Sequence, residues 1–233
     1  MYNKPLLLFD IDWTLLKGGL AEHVDGFTYA WNKVLGITAH LSDWKDYHGQ
    51  PDGVILSKIP VLCHGVDQET VKLKQEALKQ AKIDYFFEHA QKDYKHLLMP
   101  GVIDLLHELE KRTIPMVIAS GNLEKIGWYR LEKAGIKKFF LGGGWGDSVS
   151  SKSEAFLLAI AASEKILLQK IPKEHIFDIG DSHYDIEAAR AIGIHSIGVL
   201  TGFDSEDVLR KSGAEYVLKN LTDTKKFFEM IKI

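Results

Sequence analysis

Two carboxylates one residue apart, in Asp10-Ile11-Asp12-Trp13-Thr14, follow the short apolar run Leu6-Leu7-Leu8-Phe9. On an extended backbone, residues i and i+2 project to the same side, so both acids can face one ligand. Their repulsion has to be relieved by a cation, a shared proton or hydrogen bonds. An exposed acidic turn closing a strand looks the same when it stands alone. A second acidic group, Asp178-Ile179-Gly180-Asp181-Ser182-His183-Tyr184-Asp185, ends another apolar run. If both runs belong to one sheet, three carboxylates converge with the first pair and offer the hard oxygen ligands that suit Mg2+. Ser182 and Asp185 also fit a capping box at a helix start, and the two readings are compatible. Ser120-Gly121-Asn122 closes a third apolar run, where a hydroxyl and unpaired backbone amides can bind an anionic oxygen or simply cap a helix. Lys152 stands before a further helical pattern, a place where a lone lysine is ordinarily solvated.

The elements that must position these groups are legible in the hydrophobic pattern. Leu6-Leu7-Leu8-Phe9 has no polar alternation, as expected of a strand buried on both faces of a parallel sheet. Similar runs recur at Pro115-Met116-Val117-Ile118-Ala119, Ile176-Phe177-Asp178-Ile179, His195-Ser196-Ile197-Gly198-Val199 and Tyr216-Val217-Leu218. Between them Val102, Leu105, Leu106 and Leu109 make a helical stripe after Pro100-Gly101, and helices are expected over 123–134, 153–167 and 185–192. Strand and helix alternating in this way predict an α/β fold, a Rossmann-like three-layer core with a parallel sheet, whose ligands gather beyond the carboxyl ends of the strands.

Residues 17–98 break the rhythm with helical patterns and no convincing strand. They predict a helical insertion, with the core formed by 1–16 and 99–233. Within it Ile83, Phe87, Ala90, Tyr94 and Leu97 read as one apolar helix face, and Gly49-Gln50-Pro51-Asp52-Gly53 as a tight turn. Lys72, Lys74, Lys79 and Lys82 read as a solvated face. Glycines at Lys17-Gly18-Gly19 and Met99-Pro100-Gly101 suit hinges.

The 233 residues are 45% apolar and 26% charged, enough for one large domain or a domain with an insertion. The formal charge of −3 provides no global cationic field for nucleic acid or anionic lipid, so an anion must be bound locally. No apolar stretch approaches the roughly 20 residues of a membrane span. The lone Cys63 excludes a disulfide framework or a structural zinc cluster and fits a reducing, cytoplasmic setting. A monomer or homodimer is expected.

The order and spacing of the four elements, D-x-D-x-T, a strand-ending serine, a lysine before a later helix and G-D-S-x-x-D, resemble the haloacid dehalogenase-like hydrolase superfamily, in its phosphoglycolate phosphatase-like branch. The resemblance covers nearly the whole chain. It implies that the insertion is a helical cap whose loop at Gly49-Gln50-Pro51-Asp52 reaches the active site. It implies Asp10 as the nucleophile, forming an aspartyl phosphate, and Asp12 as acid and base. Mg2+ would be held by the Asp10 carboxylate, the Asp12 carbonyl and Asp181, with Asp185 orienting the site from behind. Ser120 and Lys152 would stabilise the transferring phosphoryl group, while Thr14, Gly121, Asn122, Gln50 and Asp52 would bind substrate. His48 and Trp44 join the cap candidates for specificity, and Lys165 and Lys170 are the alternatives to Lys152. The implied function is an Mg-dependent phosphatase for a small phosphorylated metabolite, phosphoglycolate-like or a sugar phosphate. The alternatives are a phosphomutase of the same superfamily or a non-catalytic phosphoryl-binding module. Asp12 argues against a dehalogenase, since a halide leaving group needs no proton. Two departures stand out: the family usually has glycine at Trp13, so a bulky residue must manage without glycine's freedom at positive φ, and proline is common at Ser153.

Overall fold

The structure is a computed structural model that describes residues 4–232. Residues 1–3 and 233 of the expected core lie outside the described residues. The strands are β1 (Leu6–Phe9), β2 (Met116–Ala119), β3 (Gly143–Gly144), β4 (Ile176–Gly180), β5 (His195–Val199) and β6 (Tyr216–Leu218). They form one parallel sheet in the order β3-β2-β1-β4-β5-β6. The chain winds outward in both directions from β1, so a crevice opens where β1 and β4 lie side by side.

The alternation of side chains explains the layers. Leu7 and Phe9 of β1, Met116 and Ile118 of β2, and Phe177 and Ile179 of β4 share one apolar core. That core is closed by α5 (Val102–Lys111), α6 (Glu124–Lys133) and α10 (Thr224–Met230). Leu6, Leu8, Val117, Ala119 and Ile176 face the other way, onto α7 (Lys152–Leu167) and α8 (His183–Ile192). A further helix, α9 (Glu206–Ser212), packs Leu209 against Ile186 and Val217. The expected strands and core helices appear within two residues of their places. β3, α9 and α10 were not anticipated; β3 is only the pair Gly143 and Gly144, which carries no apolar pattern.

Between β1 and α5 lie α1 (Ala21–Leu35), α2 (Asp52–His64), α3 (Gln68–Leu73) and α4 (Gln75–His89). They enclose their own apolar cluster, including Phe27, Trp31, Leu56, Ile59 and Leu78. The indole of the fully buried Trp31 donates to the Leu56 carbonyl at 3.0 Å, which satisfies its one polar atom. Two expectations are corrected here. Lys79 and Lys82 are buried, not solvated, and Lys82 finds a carboxylate partner described below. The apolar face drawn from Ile83 to Leu97 is not one helix: α4 stops at His89, Phe87 is 45% exposed, and Phe86 is the residue buried. No described helix is long and apolar enough to cross a membrane.

Candidate active site

Strand register brings the first two groups together. Phe9 aligns with Ile118 of β2 and Ile179 of β4, so Asp10, Ser120 and Asp181 leave the sheet at one edge. The Asp10 N–H donates to the Ile179 carbonyl at 3.0 Å, and the Ser120 N–H donates to the Gly144 carbonyl at 3.0 Å. Lys152 comes from a different layer. It is the first residue of α7, whose cap Ser151 accepts from the Glu154 N–H at 3.3 Å. From there the ammonium reaches Asp10 Oδ2 at 2.8 Å and Asp185 Oδ1 at 2.5 Å. Lys165 and Lys170 are exposed.

Asp10, Asp181 and Asp185 each offer a carboxylate oxygen within 4.8 Å of the others, and all three are buried. Asp185 is doubly engaged, because the expected capping box exists: its carboxylate accepts from the Ser182 N–H at 3.1 Å while Ser182 Oγ accepts from the Asp185 N–H at 3.4 Å. Thr14 is buried behind the cluster, its hydroxyl 3.5 Å from Asp181 Oδ1. Gly202 approaches Asp181 so closely that a β-carbon there would overlap the carboxylate.

This cluster is short of positive charge. Burial pushes the Asp10 carboxyl up to about 6, with Lys152 opposing and Asp185 adding to the rise. Burial, then the Asp185 and Asp10 charges, pushes Asp181 well above the usual carboxylate range. Burial would lower the Lys152 ammonium, but Asp10 and Asp185 outweigh it and hold the lysine charged. Asp178 lies beneath the site, fully buried, and neither of its side-chain oxygens has a hydrogen-bond partner. Burial and the neighbouring Asp185 raise it well above its ordinary value. Three buried carboxylates facing one ammonium are a donor set that fits a divalent cation.

Asp12 is treated differently. Arg130, fully buried on α6, reaches Asp12 Oδ1 at 2.7 Å and Oδ2 at 3.1 Å, and Asn122 Nδ2 donates to Oδ2 at 2.7 Å. Burial alone would raise the Asp12 carboxyl, but the Arg130 guanidinium overrides it and holds the group well below the usual range. Asp52, at the start of α2, is likewise compensated. Lys82 Nζ lies 2.5 Å from its Oδ2, His23 Nε2 3.6 Å from its Oδ1, and the Leu123 N–H donates to it at 3.1 Å. Burial raises Asp52, yet Lys82 and His23 bring it down to about 2.

A cavity of about 220 Å³ joins these parts. Asp10, Asp12, Ser120, Gly121, Asn122, Lys152 and Asp181 line it from the core, and Gln50, Asp52 and His48 from the insertion. Thr14, Asp185 and Trp44 are not on its surface. Trp13 is, and it does adopt the left-handed conformation, at φ +59°. Such a backbone costs a bulky residue on the order of 1–3 kcal/mol. Its ring meets Phe203 edge-on at 5.4 Å. His183 turns its Nδ1 to Asp204 at 2.8 Å and starts α8.

The profile of the haloacid dehalogenase-like hydrolases matches residues 7–199. The chain belongs to this family. Within it, the chain is 26% identical to a phosphoglycolate phosphatase of Photobacterium profundum over 91% of this chain and 90% of that one. It is 24% identical to the phosphoglycolate phosphatase of Escherichia coli, over 92% and 88%. A β-phosphoglucomutase of Clostridium difficile shares the fold at a TM-score of 0.72 and 16% identity, over 99% of this chain and 98% of that one. Against this haloacid dehalogenase-like framework, Arg130, Lys82, His23 and Phe203 were not singled out as site residues from the sequence. A signal for the first two existed. Arg130 falls on the buried stripe of Leu123, Ile126, Gly127 and Leu131, and Lys82 on that of Leu78 and Phe86; a charge on an apolar stripe implies a buried counter-charge.

Proposed function

We propose that this hydrolase is a Mg2+-dependent phosphatase that removes the phosphoryl group from a small phosphorylated metabolite through an aspartyl phosphate on Asp10. The observation that carries this reading is the buried Asp10 carboxylate, 2.8 Å from Lys152 in a cluster deficient in positive charge, at the switch point of the sheet. Relatives named phosphoglycolate phosphatase support the same chemistry. Residues 1–16 and 99–233 then act as the catalytic core and 17–98 as its cap.

A carboxylate oxygen of Asp10 attacks phosphorus, and the ester P–O bond breaks as the new P–O bond forms. Lys152 offsets charge on the transferring group, and Ser120 with the amides of Gly121 and Asn122 binds its outer oxygens. Asp10, Asp181 and the Asp12 carbonyl would hold Mg2+, which supplies the positive charge that lets an anion approach a phosphate dianion. Asp185 fixes Lys152 and the start of α8. As paired with Arg130, Asp12 is held ionised, the form in which it takes a proton from the water that opens the acyl phosphate once an oxygen is freed of its present donors. Protonating the leaving oxygen requires Oδ2 to turn from Asn122 to the substrate while Arg130 keeps Oδ1.

The test uses acid-quenched turnover of a 32P-labelled monoester with Mg2+. The expected result is release of inorganic phosphate and label on the peptide containing Asp10, both lost in Asp10→Asn. Phosphate release that persists in Asp10→Asn overturns the reading, and transfer between positions of a sugar phosphate without net release identifies a phosphomutase instead.

A further inference from the structure

Away from the four motif groups, the cavity changes character. Its remaining lining is dominated by Trp13, Phe27, Leu41, Tyr47, Ile55 and Phe203. Rings run in contact from core to insertion: Trp13 meets Phe203 at 5.4 Å, Phe203 meets His48 at 5.0 Å, and His48 meets Tyr47 at 4.0 Å between centroids. Phe203 is 71% exposed although its ring bounds the cavity, which leaves an aromatic face for a ligand to cover.

The charges near this end are already spent on one another. Lys82 belongs to Asp52 and stands over the Phe27 ring at 3.7 Å, while Arg130 belongs to Asp12. Neither lines the cavity, and among the described residues Lys152, clamped between Asp10 and Asp185, is the one lysine or arginine that does. A second anionic group on a substrate, such as the carboxylate of glycolate, therefore has no ammonium or guanidinium to meet and faces Asp12, Asp52 and Asp204. Burial lowers the His48 imidazole, so it supplies no standing positive charge. A polyol fares little better, because Asp12 and Asp52 already accept from Arg130, Asn122 and Lys82, and Asp204 from His183, which leaves Tyr47, His48 and Gln50 as the polar side chains of the insertion free to meet it.

We infer that the phosphoryl group reaching Asp10 is carried on an uncharged, mainly apolar alcohol, aromatic or of comparable bulk, with a hydrogen-bonding function beside Gln50 at most. The inference rests on the phosphatase reading and narrows it away from phosphoglycolate and sugar phosphates.

The test compares kcat/KM for phosphate release from benzyl phosphate, 2-phosphoglycolate and glycerol 3-phosphate with Mg2+, all esters of alkyl alcohols. Benzyl phosphate is expected to exceed both others by at least about tenfold, the scale set by burying one apolar ring. In Phe203→Ala, KM for benzyl phosphate should rise by about two- to tenfold with kcat little changed; the exposed position keeps the fold out of the comparison. Equal or better turnover of 2-phosphoglycolate or glycerol 3-phosphate overturns the substrate inference and leaves the phosphatase standing. An unchanged KM in Phe203→Ala removes the aromatic wall from the argument and overturns the inference as well. Absence of phosphate release from every ester, by a protein that stays folded, fails the underlying reading and this one with it.

Discussion

The two ends of the cavity handle buried carboxylates in opposite ways. At the sheet edge, Asp10 and Asp185 share one ammonium, Asp181 stands beside them with none in contact, and burial raises Asp10 and Asp181. Toward the insertion, Asp12 has Arg130 and Asp52 has Lys82, one cation to each acid, and both carboxyls stay low. The first end is incomplete without a ligand; the second is finished by the chain itself. Local charge balance sets the two ends apart: the first lacks the positive charge that a divalent cation would supply, and the second holds its acids ionised.

Five experiments break or sharpen this contrast. The largest effect belongs to the unbalanced end: stripping divalent cations with a chelator should lower phosphate release by about a thousandfold or more, and Mg2+ should restore it. Next comes the balanced end, where Arg130→Met takes the guanidinium from the half-buried Asp12, leaves Asn122 as its donor, and should cost up to about 3 kcal/mol in urea unfolding. Asp52→Asn combined with Lys82→Met should be far milder than Lys82→Met by itself, because the pair leaves together. A fourth effect has a sign that only the unbalanced end gives. The Asp10 carboxyl is raised from its ordinary 3.8 to about 6, so between those values the folded, metal-free protein binds more protons than the unfolded chain. Stability should be greatest below pH 4 on this account and fall as pH rises through 6, by up to about 3 kcal/mol. In Asp10→Asn that share of the slope should be lost, while the shares of the likewise raised Asp181 and Asp178 remain. The smallest change is Trp13→Gly, measured by thermal unfolding. Relief of positive φ is offset by lost ring contact with Phe203 and by glycine's chain entropy, so stability should move by less than about 1 kcal/mol.

The sequence made the unbalanced end legible and hid the balanced one. Asp10, Ser120 and Asp181 each terminate an apolar strand, and Lys152 opens a helix, so their meeting follows from topology. Arg130 and Lys82 act through long side chains that cross between elements, a reach that no spacing rule encodes. Lys82 also sits in a lysine-rich stretch, which masks it among charges that do face water. The parallel strands, buried on both faces, were plain from their unbroken apolar runs, while β3 is too short and too glycine-rich to announce itself.

The seam between insertion and core is stitched largely by main chain. The Asp52 N–H donates to the Gly121 carbonyl at 2.7 Å and the Gly53 N–H to the Gly146 carbonyl at 3.0 Å, beside the Leu123 N–H on Asp52. Two of these bonds join main chain to main chain, so amino-acid replacement can scarcely erase them, whereas the third ends on the Asp52 carboxylate and goes with it. Parting of these bonds is expected to accompany entry of bulky esters, and a fall in their kcat as solvent viscosity is raised checks it.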